Sequence, residues 1–430
     1  MILNIVLWAF AAALGLLCAC VALRCLGRES VTVGRRRIAL EKPLDLSGER
    51  FTPAMGAAAV CWGLGVLLAL YAASAIHCAV ARDGVSWSEL YSAWHHYDAK
   101  HYRNLAEFGY RDYMENSQHL FLVFFPLYPW LVRLLAQLIP NYDLCGHLLS
   151  SMCFVGACYM LARLTTEEFG RRVSVPALAL FAAYPFMYFS AAYYTESLFL
   201  FLSLATFYCI RRHRYLFAGI LGALAALTRM QGILLAAVAL VEYGCTSHPL
   251  QKWRARDWRG LRRDCWSKLL CIGIMAAGVI VYLWLNYAVE GNPFQFTIYQ
   301  REHWYQGFAI LPECLRTIWN YLLSTLTVRN GYAIWGPEAI LFIVCLAAAI
   351  YGVRRFPPAW MTYFLLAVLL NYSLSWPLSI GRYMLSAFPL PVTFAVACRK
   401  RPTLGNLIVL FCALIQGVFL FSYLSGNPPY

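Results

Sequence analysis

Asp98 is the residue around which the chain gathers the most chemistry. It stands in the run Trp94-His95-His96-Tyr97-Asp98-Ala99-Lys100-His101-Tyr102, a carboxylate among aromatic rings. At a membrane boundary such a carboxylate can act as a general base, or it is a solvated interfacial aspartate. Asp98, Tyr102, Leu105 and Gly109 recur at helical spacing, which predicts an amphipathic helix lying in the interface. Lys100 and His101 beside it can meet a phosphate. Arg229, in Thr228-Arg229-Met230-Gln231-Gly232, and Arg382, after Ser379-Ile380-Gly381, are two arginines at the ends of apolar runs. Two planar forks of donors that keep their charge suit a phosphate; the alternative is snorkelling to lipid headgroups. Glu196, in Tyr193-Tyr194-Thr195-Glu196-Ser197, is the carboxylate at another such end. It can orient a polar substrate or pair with Arg229, or it can be an ordinary first-turn acid after a Thr195 cap.

Other chemistries lack their signatures. The chain has no Walker loop, no GxGxxG after a strand, no HExxH and no paired CxxC. His95 and His96 are adjacent and cannot share one helix face, so no metal site is expected. Most of the 16 cysteines lie in apolar blocks without ligand spacing and read as small core hydrophobes.

The elements that must hold these residues follow from composition. The chain has 430 residues, 61% hydrophobic and 13% charged, with a mean hydropathy of +0.58. Average soluble domains carry about 25% charged residues. Soluble, disordered, fibrous and disulfide-scaffold classes are excluded, and long apolar blocks without alternation exclude a barrel. What remains is an all-α polytopic membrane protein. Apolar runs at 1–23, 54–80, 145–163, 174–192, 197–210, 215–228, 231–243, 269–289, 334–353, 360–376, 383–397 and 403–424 predict about 12 membrane helices.

Charge orients them. With residues 24–53 in the cytoplasm, 25 of the 35 Lys and Arg fall on the inner side, in keeping with the positive-inside rule. The net charge of +14 is therefore read as loop placement, not as a nucleic-acid partner. Twelve of the 21 carboxylates fall on the outer side. Two outer loops are long and aromatic, 81–143 and 290–333. The first is expected to hold a second interfacial helix opening at Phe124-Phe125-Pro126-Leu127-Tyr128-Pro129. The run 215–243 carries Arg229 at its middle, which is costly inside one helix. Two short helices meeting at Thr228–Gly232 lift it to the outer face. The expected plan is an extra helix at 1–23, a basic cytoplasmic loop at 24–53 and one transmembrane unit at 54–424.

In order along the chain, YDAKHYRNLAEFGY, FFPLYPWLVRLL, YPFMYFSAAYYTESLF, FAGILGALAALTRMQG and GRYMLSAFPL resemble the PIG-V family. That family holds the second mannosyltransferase of GPI-anchor synthesis and its bacterial relatives, within the GT-C class of membrane glycosyltransferases. The resemblance covers about 94–395 and omits the helix at 1–23. The family's W-D-A-x-x-Y block falls on Tyr97, Asp98, Ala99 and Tyr102, with Tyr97 in place of Trp. Its F-F-P-x-x-P block falls on Phe124, Phe125, Pro126 and Pro129. Y-S-E-S falls on Tyr194, Thr195, Glu196 and Ser197, T-R-x-x-G on Thr228, Arg229 and Gly232, and R-Y on Arg382 and Tyr383.

The resemblance implies a GT-C fold and transfer of a hexose, mannose, from a polyprenyl-phosphate sugar to an acceptor hydroxyl outside the membrane, with inversion. It implies Asp98 as base. Arg229 and Arg382 then hold the leaving phosphate, and Tyr97, Lys100, His101, Tyr102, Tyr194 and Glu196 line the substrates. No obligate metal or other cofactor is implied beyond the lipid-linked sugar. Trp94, Tyr97, Tyr102, Trp304 and Tyr305 can stack on a sugar or the lipid, or anchor the chain in the interface. The acceptor is open: glycolipid, glycan or protein. Loop economy favours a bacterial cell membrane with the site on its extracytoplasmic face. The rival readings are a transporter or lipid flippase, which calls for charged groups and broken helices at the midplane, and a catalytically silent relative.

Overall fold

A computed structural model describes residues 2–33, 36–42, 44, 46–81 and 85–427. Met1 of the first expected span and the basic residues Arg35 and Arg82 lie outside them. Among the described residues the chain is helical throughout, apart from one antiparallel hairpin in the basic segment. There Ser30–Val33 pairs with Arg36–Ala39, and Ser30 faces Ala39.

Seven stretches are long and apolar enough to cross a membrane: Leu3–Cys25, Pro53–Ala81, Tyr142–Phe169, Met230–Ser247, Trp266–Glu290, Gly331–Gly352 and Pro402–Leu424. The rest of the expected twelve are shorter or broken. Tyr215–Thr228 and Pro358–Asn371 are short apolar helices, and Ile380–Ser386 with Pro389–Cys398 is one bent pair, turned by 76°. Pro389 lacks the N–H that would continue the first piece into the second.

The expected 174–192 span stops early. Helix Arg171–Ala182 ends, and residues 183–195 run as turns and one short 3-10 segment at Met187–Ser190 before helix Glu196–Arg211 begins. Most of that irregular stretch is buried, Met187 through Tyr194 almost completely. Non-helical backbone at membrane depth is tolerated where protein covers it. Local backbone bonds such as Met187 N–H to the Tyr184 carbonyl (2.8 Å) and Ala191 N–H to the Tyr188 carbonyl (3.0 Å) satisfy part of it. The expected break in 215–243 is present: helix Tyr215–Thr228, a 3-10 turn Met230–Ile233, then helix Leu234–Ser247.

Helices pack closely where glycine removes a side chain. A Cβ on Gly278 would lie 2.0 Å from the Ala223 carbonyl oxygen, and one on Gly219 2.1 Å from the Cys271 oxygen. Both glycines sit in the seam between helix Tyr215–Thr228 and the span Trp266–Glu290, where backbone meets backbone as small residues allow in membranes. Gly278→Ala is therefore expected to lower stability by roughly 1–3 kcal/mol or more through overpacking. Thermal unfolding of the detergent-solubilised protein reads it out, and an unchanged midpoint would show that the seam can open.

At the basic-loop end, Arg211 bridges Glu168 (2.7 Å) and Glu242 (2.8 Å), and the Trp360 indole donates to Glu168 (2.8 Å). At the opposite end short helices form a cap. These are Trp87–Trp94, Asp98–Phe108, Leu127–Ala136, Gln295–His303 and Leu311–Ser324. The two interfacial helices expected in the first long loop are among them, with a break at His95–Tyr97 that the spacing did not show.

Candidate active site

Four charged side chains from distant parts of the chain meet at the capped end. Asp98 is the first residue of its helix. Arg382 lies on the short helix Ile380–Tyr383, and its Nη1 is 2.9 Å from Asp98 Oδ2. Arg382 Nε lies 3.3 Å from Glu196 Oε1. Glu196 opens helix Glu196–Arg211, and the same Oε1 lies 2.9 Å from Arg229 Nη1. The result is a chain of alternating charge: Asp98, Arg382, Glu196, Arg229.

Burial differs along it. Glu196 is 2% exposed, Arg382 9%, Arg229 14% and Asp98 25%. The buried charges are paired, as burial requires. Asp98 is the carboxylate that solvent, or a substrate hydroxyl, can reach. Glu196 Oε2 is buried with no hydrogen-bond partner, an open acceptor beside two guanidiniums.

Aromatic rings hold the arginines. The Arg382 guanidinium lies 5.2 Å from the Tyr383 ring, 5.3 Å from Tyr194 and 5.4 Å from Phe189. The Arg229 guanidinium lies 5.0 Å from the same Tyr383 ring. Such cation–π contacts strengthen when desolvated. Arg229 reaches the site because the chain is extended there, at φ −157° and ψ 148°, between the two short helices. Arg382 is placed by a carboxylate the sequence reading passed over. Glu338, fully buried, accepts the Gly381 backbone N–H at 3.1 and 3.2 Å. An acid inside an apolar span is itself a signal of function or structure.

The other expected residues divide. Tyr194 is part of the site, and its hydroxyl donates to the His96 carbonyl (2.8 Å). Tyr102 is buried one turn beyond Asp98, hydrogen-bonded to Thr195; burial pushes its phenol well above the ordinary value. His101 is taken up by aromatic packing, 4.4 Å from the Phe121 ring, with Nδ1 2.9 Å from the Tyr113 hydroxyl. Burial holds its imidazole below the ordinary value. Lys100 is exposed and, two residues from Asp98, points to another face of the helix. Tyr97 is half exposed, and its hydroxyl donates to the Gly426 carbonyl (3.0 Å). Trp304 packs on Phe124 (6.1 Å), while Tyr305 is exposed. Phe189, Glu338 and Tyr423, all part of or beside the site, carried no local motif.

Among the described residues no group of three or more His, Cys, Asp or Glu is arranged to hold a metal. A cavity of about 340 Å3 lies elsewhere, towards the basic-loop end, lined by Phe51, Trp62, Thr166 and Arg171 among apolar residues. It holds no carboxylate, histidine or cysteine.

A family model described as dolichyl-phosphate-mannose-protein mannosyltransferase matches residues 125–284, a stretch that includes Glu196 and Arg229. No curated protein matches the chain. Among solved structures, the crystal structure of ArnT from Cupriavidus metallidurans bound to undecaprenyl phosphate is similar, with a TM-score of 0.50 and 17% sequence identity. The match covers 84% of this chain and 64% of ArnT, so the chain spans somewhat under two thirds of that protein. The GT-C fold and the likeness to GT-C glycosyltransferases expected from the motifs are borne out by these two matches.

Proposed function

We propose that this GT-C chain is a membrane glycosyltransferase that moves a hexose, mannose, from a polyprenyl-phosphate donor to an acceptor hydroxyl. The observation that carries the reading is the Asp98–Arg382–Glu196–Arg229 chain of charges, with its one reachable carboxylate at one end. The matches to a mannosyltransferase model and to a protein bound to undecaprenyl phosphate support the donor class.

In the proposed step the acceptor oxygen forms a bond to the anomeric carbon, and the bond from that carbon to the phosphate oxygen breaks. The hydroxyl proton passes to Asp98. The lipid phosphate leaves as an anion, and Arg382 and Arg229 stabilise the charge that develops on it. A single displacement inverts the anomeric centre. Glu196 keeps both guanidiniums facing the site. The two guanidiniums supply the positive charge that a departing monophosphate needs, so the scheme calls for no metal. The concentration of basic residues at the other end of the bundle supports an extracytoplasmic site, which this reading assigns to a bacterial cell membrane.

The test is transfer of label from polyprenyl-phosphate-mannose in membranes containing the protein. Label appearing on an acceptor, dependent on the protein, supports the reading. Label that crosses the bilayer still attached to its lipid shows a flippase instead, and label that does neither rules out this donor.

A further inference from the structure

Asp98 starts a helix that has no local device to hold it. The residue before it, Tyr97, makes no side-chain cap and sits at φ +54°, ψ −121°, a conformation that side chains rarely adopt. A base must nonetheless be held in place, since a displacement of about 1 Å can cost a factor of ~10² in rate.

What holds the turn comes from elsewhere in the fold. Tyr423, on helix Pro402–Leu424 and fully buried, donates its hydroxyl to the Trp94 carbonyl at 2.7 Å. Tyr194 donates to the His96 carbonyl at 2.8 Å, and Tyr97 donates to the Gly426 carbonyl at 3.0 Å. The Tyr423 ring packs on Trp94 (5.9 Å) and His96 (5.5 Å). Three phenol hydroxyls thus pin the peptide run 94–97, and one of the rings, Tyr194, also flanks the Arg382 guanidinium.

We propose that Tyr423 is a positioning residue: its hydroxyl, acting with those of Tyr194 and Tyr97, fixes the Trp94–Tyr97 turn and through it the carboxylate of Asp98 against Arg382. The inference rests on Asp98 being the base. It makes helix Pro402–Leu424 a working part of the site.

Tyr423→Phe removes one oxygen and keeps the ring. With polyprenyl-phosphate-mannose as donor, the full chain carrying Tyr423→Phe is expected to lose about tenfold in kcat, with donor KM within twofold of wild type. Amide exchange of the 94–104 segment should rise while the unfolding midpoint stays put. Tyr97→Phe, at a half-exposed position, should lower kcat in the same direction and decides the matter if Tyr423→Phe does not fold. Tyr208→Phe, which removes a hydroxyl bonded to Glu167 at the far end, should leave kcat unchanged. Wild-type kcat and exchange in Tyr423→Phe and Tyr97→Phe, with Asp98→Asn inactive, would overturn the clamp and leave the base in place. Full activity in Asp98→Asn would remove the base, and the positioning role with it.

Discussion

Asp98→Asn is expected to lower the turnover of sugar transfer by a factor of about 10²–10⁴ while the protein still folds. The substitution keeps the shape of the side chain, and Asn Oδ1 can still accept from Arg382 Nη1, now 2.9 Å from Asp98 Oδ2. In the proposed step, what it removes is the capacity to take a proton from the acceptor hydroxyl. Because Asp98 is 25% exposed and Arg382 keeps Glu196 at 3.3 Å, the loss of one negative charge is partly offset, and only a small change in unfolding temperature is expected. Donor KM should move little, since the phosphate meets the arginines. Equal transfer by wild type and mutant, at equal expression, would make Asp98 a structural partner of Arg382 and leave the base unassigned.

Arg382→Gln should have the second large effect, and on stability as well as rate. Arg382 is the only described group that touches both carboxylates of the cluster. Without it Asp98 loses its partner, and Glu196, 2% exposed, keeps Arg229 alone. Removing one member of a buried ion pair typically costs about 3–5 kcal/mol, because the charge left behind stays desolvated. Phe189 and Tyr194 would also lose the cation they flank, while Tyr383 keeps Arg229. In the proposed step one of two donors to the departing phosphate is then gone, which should raise donor KM and lower kcat together. Arg382→Lys should recover part of the stability and little of the rate, since a point charge does not span two carboxylates. A double-mutant cycle with Glu196→Gln should return a coupling of about 0.5–3 kcal/mol. Unfolding of Arg382→Gln at the wild-type midpoint would show that the cluster is solvated and that its pairs carry little.

Much of this site was visible as separate residues before it was visible as a site. Arg229 was expected at the end of a helix because an arginine in the middle of a span is costly, and it does lie at a break. Glu196 was expected either to pair with Arg229 or to open a helix, and it does both. The Thr195 cap did not form, since that helix start has no side-chain cap. Pro126 was expected to open an interfacial helix, and Leu127–Ala136 follows it. His101 and Lys100 were drawn towards a phosphate by their nearness to Asp98 in sequence. In the fold one is enclosed by Phe121 and Tyr113, and the other faces outward. Neighbours along a helix share a face only at three- and four-residue spacing, so adjacency was a poor guide.

Composition, apolar run length and the distribution of basic residues were enough to determine an all-α membrane protein, because a backbone in lipid has few ways to satisfy its own hydrogen bonds. The spacing of prolines and the positions of isolated charges likewise set where several helices start and break, since those effects act within a turn or two. The tertiary structure alone decided that Asp98 meets Arg382, 284 residues away, that Tyr423 pins Trp94 across 329 residues, and that Glu338 holds Gly381 from inside an apolar helix. It also decided that residues 183–195 leave the helix while remaining buried. Those outcomes depend on which buried polar groups find one another once the helices have packed. That matching is made between segments far apart in sequence, so no local pattern of residues records it.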